Sequence, residues 1–94
     1  MRAARTDANH IQVVSALRAA GATVQSLAAV GKGVPDLLVS FKGVNLLMEV
    51  KDGNKSPSRQ KLTEDQIKFH GTWQGPISIV DGPEAALRAL GVIK

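Results

Sequence analysis

The chain has no cysteine and very few aromatic residues, and both shortages exclude classes of protein. Without cysteine, its 94 residues cannot form a disulfide scaffold, a thiolate zinc site, an iron–sulfur cluster or a thiol nucleophile. This composition suits a reducing compartment. The aromatic residues are Phe41, Phe69 and Trp73, so the hydrophobic core must consist mainly of Val, Leu, Ile and Ala.

Long apolar segments are also missing. No apolar run exceeds four residues, whereas a membrane-spanning helix needs roughly 20. The first five residues, Met1 to Arg5, lack the apolar stretch of a secretory signal peptide. We therefore expect a soluble intracellular protein.

Composition and charge indicate one folded, basic domain. Hydrophobic residues make up 44% and charged residues 21%, which is typical of a folded chain, and the length suits a single domain over residues 1–94. Twelve Lys and Arg against eight Asp and Glu give a net charge of +4 and a pI near 9.9. A domain pI above about 9 is typical of nucleic-acid-binding proteins, although many small soluble proteins are basic without that function.

Hydrophobic periodicity and turn residues predict an α/β fold in the order α-β-β-β-α-β-α, with a mixed β-sheet flanked by helices. The runs 36–41 and 44–51 are almost continuously apolar, which favours central strands covered on both faces. A segment rich in Gly, Ser, Pro and charge predicts a loop over 51–61. The predicted elements are a helix over 7–20, strands over 23–27, 36–41 and 44–51, a helix over 63–73, a strand over 77–80 and a helix over 83–90.

Lys42 and Gly43 separate two predicted strands by two residues, as in a tight β-hairpin. This turn places Asp36 opposite Glu49, and directly opposed residues have Cβ atoms about 4.5–5.5 Å apart. Since side chains alternate along a strand, Lys51 lies on the same face as Glu49. The sequence therefore predicts that two carboxylates and one ammonium group converge at the end of the hairpin away from its turn.

Two carboxylates this close repel each other, which raises a pKa or requires a cation. Mg²⁺ and Mn²⁺ prefer oxygen ligands, and such an ion polarises a phosphoryl oxygen and lowers the pKa of a bound water. Lys51 could orient or deprotonate that water, or stabilise developing negative charge. The alternative is that Glu49 and Lys51 are ordinary polar residues at a strand end, with Asp36 only beginning a strand or turn. The hairpin register, the basic loop and the net charge favour the metal site.

Pro35-Asp36, followed after a hairpin by Glu49-Val50-Lys51, resembles the signature of the PD-(D/E)XK nucleases. More narrowly, the segments VGKGVPDLLV, LLMEVKDG and PSRQKLTEDQIKFH resemble the virus-type replication–repair nuclease (VRR-NUC) family. With the amphipathic first helix, the resemblance covers nearly the whole chain, to about position 80. It implies a restriction-endonuclease-like core and metal-dependent hydrolysis of phosphodiester bonds.

The resemblance also implies roles for single residues. Asp36 and Glu49 would bind Mg²⁺ or Mn²⁺, with the backbone carbonyl of Val50 as a further ligand. Lys51 would act at the attacking water. Stand-alone minimal members resemble Holliday-junction resolvases and act as homodimers, which implies branched or junction DNA as the substrate and the cytoplasm of a bacterial or phage-infected cell as the location. The alternative function is a non-catalytic nucleic-acid-binding module with a nuclease-like fold.

Four further residues have two interpretations each. The family often carries a Glu in the first helix that faces the site, and Asn9 occupies that position here, which weakens the expected metal contact; helix capping explains Asn9 equally well. Gln66 fits a capping box with Thr63, and related nucleases have a Gln near the metal or the DNA on this helix. His70 and Trp73 share a helical stripe with Gln66. His70 is a candidate phosphate contact, or simply a partly buried surface residue. Trp73 is expected in the core or at a dimer interface rather than as a platform for base stacking.

Basic residues surround the predicted site in the sequence. Lys55, Arg59 and Lys61 lie in the 51–61 loop, and Lys32 lies between two glycines just before Asp36. We interpret them as contacts to phosphates, which position a duplex without reading its sequence. The alternative is an ordinary solvated loop.

Overall fold

The computed structural model describes residues 8–51 and 61–94, and in them the predicted α-β-β-β-α-β-α order is confirmed. Apart from the start of α1, which adjoins residues outside the described ranges, every boundary lies within one residue of the prediction, because Gly, Pro and polar capping residues mark the ends of most elements. Nearly all of the predicted loop over 51–61 lies outside the described residues. The elements are α1 (Ala8–Ala19), β1 (Thr23–Ser26), β2 (Leu37–Phe41), β3 (Val44–Val50), α2 (Glu64–Thr72), β4 (Ile77–Val80) and α3 (Pro83–Leu90).

The four strands form one mixed sheet in the order β1-β2-β3-β4. β1 pairs antiparallel with β2, and β2 with β3, whereas β3 and β4 are parallel. Parallel neighbours need a crossover connection, and this one carries α2. The prediction of a mixed sheet flanked by helices is therefore confirmed, with β2 and β3 at its centre.

The β2–β3 hairpin turns at the two residues that the sequence indicated. Lys42 and Gly43 have φ angles of 50° and 81°, and two consecutive positive φ angles give a turn whose twist matches that of the flanking strands. The strands pair with Phe41 opposite Val44 and continue in this register along their length. The predicted register is thus confirmed.

One face of the sheet carries the hydrophobic core. The helices α1 and α3 cover this face, and because side chains alternate along a strand, every second strand residue points toward them. No helix among the described residues is long and apolar enough to cross a membrane. The buried core residues are Val13, Leu17, Ala22, Val24, Leu37, Val39, Leu46, Met48, Val80 and Ala86.

The opposite face is only partly covered. On it, Leu47 and Glu49 of β3 are buried, but Leu38 of β2 is 38% exposed and Ile79 of β4 is 52% exposed. The expectation that both central strands are covered on both faces is therefore correct for β3 and wrong for β2. The helix on this side, α2, buries none of its own residues, so it does not screen the whole face.

Gly33 fixes the position of α2 against the turn that precedes β2. Its φ angle is 79°, and a Cβ atom at this position would lie 2.3 Å from the carbonyl oxygen of Asp65. The backbone of the turn therefore packs directly on the first turn of α2, at a distance that only glycine permits.

Substituting Gly33 should displace α2, and Gly31 provides a matched control. Both glycines have positive φ angles, but a Cβ at Gly31 would meet no atom of residues 8–51 and 61–94 within 4 Å. Gly31→Ala should cost about 1 kcal/mol for the left-handed backbone alone. Gly33→Ala should lower the free energy of unfolding by roughly 2 kcal/mol more, because the turn and α2 must separate. Denaturant titration checks this, and equal losses for the two variants would contradict the proposed contact.

Candidate functional site

The hairpin register brings Asp36 and Glu49 together on the partly covered face of the sheet. Asp36 directly precedes β2, and its carbonyl oxygen accepts a hydrogen bond from the Leu27 N–H at 2.7 Å, which continues the β1–β2 pairing. The Asp36 Oδ2 atom accepts a hydrogen bond from the Val50 N–H at 2.8 Å. This contact holds the aspartate across the end of β3, beside Glu49.

Glu49 is a carboxyl group inside the protein, with only 2% of its surface exposed. Burial, then the negative charge of Asp36 and a hydrogen bond with its carboxyl group, raises the pKa of Glu49 from 4.5 to about 8, against the opposing charge of Lys51. Among residues 8–51 and 61–94, no group donates a hydrogen bond to the buried Oε1 atom of Glu49. At neutral pH the pair of carboxyl groups therefore keeps one proton. A bound cation could take the place of this proton and balance the negative charge of the pair.

Gln66 joins Glu49 to Lys51 through its side-chain amide. Its Nε2 donates to Glu49 Oε2 at 3.1 Å, and its Oε1 accepts from Lys51 Nζ at 2.9 Å. The ammonium nitrogen of Lys51 also lies 3.9 Å from Glu49 Oε2. Three of the residues singled out in the sequence thus form one connected group.

The capping function of Gln66 is present in the same structure. Thr63 is the N-cap of α2, and its hydroxyl accepts from the Gln66 N–H at 3.2 Å. The Oε1 of Gln66 in turn accepts from the Thr63 N–H at 2.8 Å, which completes the predicted capping box. Gln66 therefore takes part in both of the arrangements that the sequence allowed, and the cap fixes its side chain toward the carboxyl group.

Asn9 connects α1 to the ends of two neighbouring strands. Its Nδ2 donates to the carbonyl oxygen of Lys51 at 2.9 Å and to that of Asp81 at 3.2 Å. The Lys51 N–H donates to the Val80 carbonyl at 2.8 Å, so the two strand ends are already paired. The amide nitrogen of Asn9 thus fixes the backbone of Lys51. The peptide bond between Val50 and Lys51, which includes the Val50 carbonyl, is fixed with it.

The basic residues lie near the N-terminal end of α2 as far as the structure describes them. Lys61 is exposed two residues before the N-cap, and Lys32 is exposed in the turn that packs on α2 through Gly33. The N-terminus of a helix itself carries partial positive charge. Lys55 and Arg59, the other two predicted phosphate contacts, lie outside the described residues.

His70 lies one helical turn after Gln66 and is half-buried. Its Nε2 atom is buried and has no hydrogen-bond partner in the part of the chain that the structure describes. Burial, followed by the positive charge of Lys51, lowers the pKa of His70 below its ordinary value of 6.5. The imidazole is therefore neutral at physiological pH, which makes it a weaker phosphate contact than the sequence alone suggested.

Two structural contacts of the site could not be identified from the sequence. The bond from Asn9 to Asp81 spans 72 residues, and nothing in the local pattern marks Asp81. The contact of Gly33 with α2 is also long-range, and its only signal was a glycine after Lys32.

The donors present suit a hard divalent cation. They are the oxygens of Asp36 and Glu49, with neighbouring backbone carbonyls, and Mg²⁺ in proteins is typically bound through one or two carboxylates. Within residues 8–51 and 61–94, no group of three or more His, Asp or Glu side chains could hold a metal ion. No family model, curated protein or solved structure gives a significant match to this chain.

The buried carboxyl group should make metal-free stability fall as pH rises. The pKa of Glu49 is about 8 in the folded protein and 4.5 when unperturbed, so the folded state binds more protons between these values and loses stability through this window. His70 has the opposite effect only below pH 6.5, where its unfolded form becomes charged. Between pH 6.5 and about 8, the free energy of unfolding should therefore decrease by about 2 kcal/mol.

Denaturant titration in EDTA across this pH range measures the slope. Glu49→Gln should abolish it, because the amide keeps the shape of the side chain but does not titrate. Glu84→Gln is the matched control, since Glu84 is an exposed glutamate that pairs with Arg88 on the surface of α3. A slope that persists in Glu49→Gln would show that the buried carboxyl group is not its source.

Proposed function

We propose that this chain is a metal-dependent, structure-selective DNA endonuclease that hydrolyses phosphodiester bonds, as the resemblance to VRR-NUC and Holliday-junction-resolving nucleases implies. The observation that carries the proposal is the buried Glu49 beside Asp36 and Lys51; the Oε1 atom of Glu49 accepts no hydrogen bond from any described residue. A buried carboxyl group beside a second carboxylate costs stability. Such a pair persists most readily where a cation binds to it.

The residues fit Mg²⁺ or Mn²⁺. The raised pKa of Glu49 means that positive charge next to this carboxylate would relieve repulsion from Asp36. Asp36, Glu49 and the Val50 carbonyl would hold the ion. A divalent ion bound there would polarise the phosphoryl oxygen of the substrate and lower the pKa of a water molecule.

Lys51 is the residue of the chain that would act closest to the reacting phosphate. Gln66 and Glu49 hold its ammonium group, and Asn9 holds its backbone. A positioned ammonium group stabilises the charge that develops on phosphate oxygens during hydrolysis, and its fixed orientation avoids reorganisation during the reaction. Gln66 and Asn9 are positioning residues in this proposal.

DNA is the proposed partner because the chain is positively charged and exposed lysines lie near the carboxyl site. The chain carries a net charge of +4, and Lys32 and Lys61 are exposed near the N-terminal end of α2, the end from which Gln66 reaches the carboxyl pair. Lysines placed in this way bind phosphates regardless of base sequence. Branched or junction DNA in the cytoplasm of a bacterial or phage-infected cell remains the proposed substrate and setting.

One observation favours the second candidate, a non-catalytic nucleic-acid-binding module. The amide nitrogen of Asn9 is engaged with backbone carbonyls, so the first helix contributes a strand-fixing contact where related nucleases often carry a carboxylate. The next experiment separates the two candidates.

Neutralising either carboxylate should abolish cleavage and preserve DNA binding. Asp36→Asn and Glu49→Gln keep the shapes of the side chains but remove the charge that attracts the metal ion. We expect cleavage of branched DNA in Mn²⁺ to fall at least about a hundredfold, while salt-dependent binding in an electrophoretic shift assay persists. Asp81→Asn, which alters an exposed carboxylate outside the pair, is the control.

Three results of that assay are informative. Cleavage by both variants at the wild-type rate would contradict the metal site. Binding without cleavage by the wild-type protein, in Mg²⁺ and in Mn²⁺, would favour the non-catalytic module. Loss of cleavage in EDTA with intact binding would support the endonuclease.

We also propose that the protein acts as a homodimer, because one chain provides one such site and symmetric cleavage of two strands needs two. A small domain has a marginal core, and the exposed apolar residues Leu38 and Ile79 would gain from coverage. Sedimentation equilibrium at micromolar concentration should give twice the 9.9 kDa of the chain. A monomer at all concentrations tested would contradict this proposal.

A further inference from the structure

Trp73 is exposed at the end of α2 rather than buried in the core. It is the C-cap residue of the helix, and 45% of its surface is exposed. The sequence-based expectation for Trp73 is the core or a dimer interface; its exposure excludes the core and leaves the dimer interface untested. It directly follows the last residue of α2, while Phe69, one turn earlier, is half-buried.

The indole ring is held in place by its neighbours. Phe69 stacks on it with ring centroids 5.3 Å apart and planes inclined by 17°. The backbone N–H of Trp73 donates to the Phe69 carbonyl at 2.9 Å, which fixes the backbone that carries the ring. The backbone of Gly75 lies against the ring, since a Cβ there would be 3.0 Å from Trp73 Nε1. A large apolar ring that is both exposed and fixed loses little entropy when another flat group stacks on it.

The position of the ring relates it to the carboxyl site. Trp73 lies seven residues after Gln66 on the same helical stripe, which corresponds to about 10 Å along the helix axis. That distance equals the rise of about three stacked nucleotides. A nucleic-acid strand with a phosphate at Glu49 and Lys51 could therefore place a nearby base on the ring.

The positive charge of the protein favours a nucleic-acid strand over an apolar protein surface as the partner of the Trp73 ring. Lys51 lies in the carboxyl site and Lys61 and Lys32 lie near the N-terminal end of α2, whereas Trp73 lies at its C-terminal end, and the chain is basic as a whole. A base within a duplex is already stacked on its neighbours, so only an unpaired base can reach an aromatic side chain. The combination of a phosphate site and an exposed ring thus selects strands with unpaired bases.

We propose that Trp73, supported by Phe69, stacks on an unpaired base of a nucleic-acid strand whose backbone lies at the Asp36–Glu49–Lys51 site. This inference rests on the proposed function and extends it, because it assigns the structural selectivity to a base-stacking platform. The substrate class becomes DNA with an unpaired nucleotide within about three positions of the bond that is cut.

Trp73 is the single tryptophan of the chain, so its emission reports on the ring directly. The full chain is titrated in EDTA, where no cleavage occurs, with three oligonucleotides of equal length: oligo-dT, an abasic strand with the same phosphates, and a duplex. We expect oligo-dT to quench the emission with saturation, and the abasic strand and the duplex to leave it unchanged. Fluorescence anisotropy of labelled strands should show about tenfold weaker binding of the abasic strand.

Variants of Trp73 and Ile67 distinguish the effect of losing base stacking on binding affinity from the effect of losing exposed apolar surface. Trp73→Ala should bind oligo-dT about tenfold more weakly and bind the abasic strand as the wild type does. Trp73→Phe, which keeps an aromatic face, should restore part of the difference. Ile67→Ala is the matched control, because Ile67 lies on the same helix and is 59% exposed but is off the stripe; its affinities should equal those of the wild type.

Each other outcome has a definite meaning. Equal affinities for oligo-dT and the abasic strand, with unchanged emission, would overturn the platform while leaving nucleic-acid binding intact. Failure to bind any of the three strands would overturn the proposed function and the platform together. Emission that changes with protein concentration alone, and no further with oligo-dT, would show that a second copy of the chain covers the ring and would also overturn the proposal.

Discussion

Burial of Glu49 next to Asp36 is the constraint on which the rest of the structure depends. A carboxylate removed from water loses hydration worth several kcal/mol unless it is paired, hydrogen-bonded or protonated. All three occur at Glu49: it accepts a hydrogen bond from the Gln66 amide, it pairs with the ammonium group of Lys51, and its pKa is raised to about 8. Even so, no group among the described residues donates a hydrogen bond to the second carboxyl oxygen of Glu49. In the proposed function, a divalent cation would add positive charge beside this carboxyl pair.

The part of this arrangement that depends on local chemistry could be predicted from the sequence. Lys42 and Gly43 specify a two-residue turn, and the turn fixes which residues face each other along the whole hairpin. The proximity of Asp36 and Glu49 follows from that register alone. The capping box of Thr63 and Gln66 is equally local, and the helix and strand boundaries follow from glycine, proline and polar caps. In each case the interacting groups are close in sequence or related by one turn.

The contacts that position the site are long-range and could not be predicted. Asn9 reaches backbone carbonyls 42 and 72 residues away, and a carbonyl group carries no sequence signal of its own. The packing of Gly33 on Asp65 depends on how a turn and a helix meet across the sheet. Helical periodicity placed Trp73 on the stripe of Gln66 and allowed either the core or a dimer interface, and the 45% exposure of Trp73 excludes the core. Periodicity describes the face of a helix, but it does not say how far the covering surface extends.

The placement of α2 and the ionisation of Glu49 are physically coupled. None of the residues of α2 is buried, and helices held by few buried apolar contacts belong to the least stable parts of a protein. The Gln66 amide therefore contributes much of the attachment. If Glu49 ionises, the hydrogen bond from Gln66 becomes charge-assisted and stronger, and the attraction to Lys51 increases as well. A positive charge beside the carboxyl pair would thus displace the proton of Glu49 and strengthen the hydrogen bond that attaches α2 to the sheet. The same helix carries Phe69 and Trp73, so their attachment would be strengthened as well.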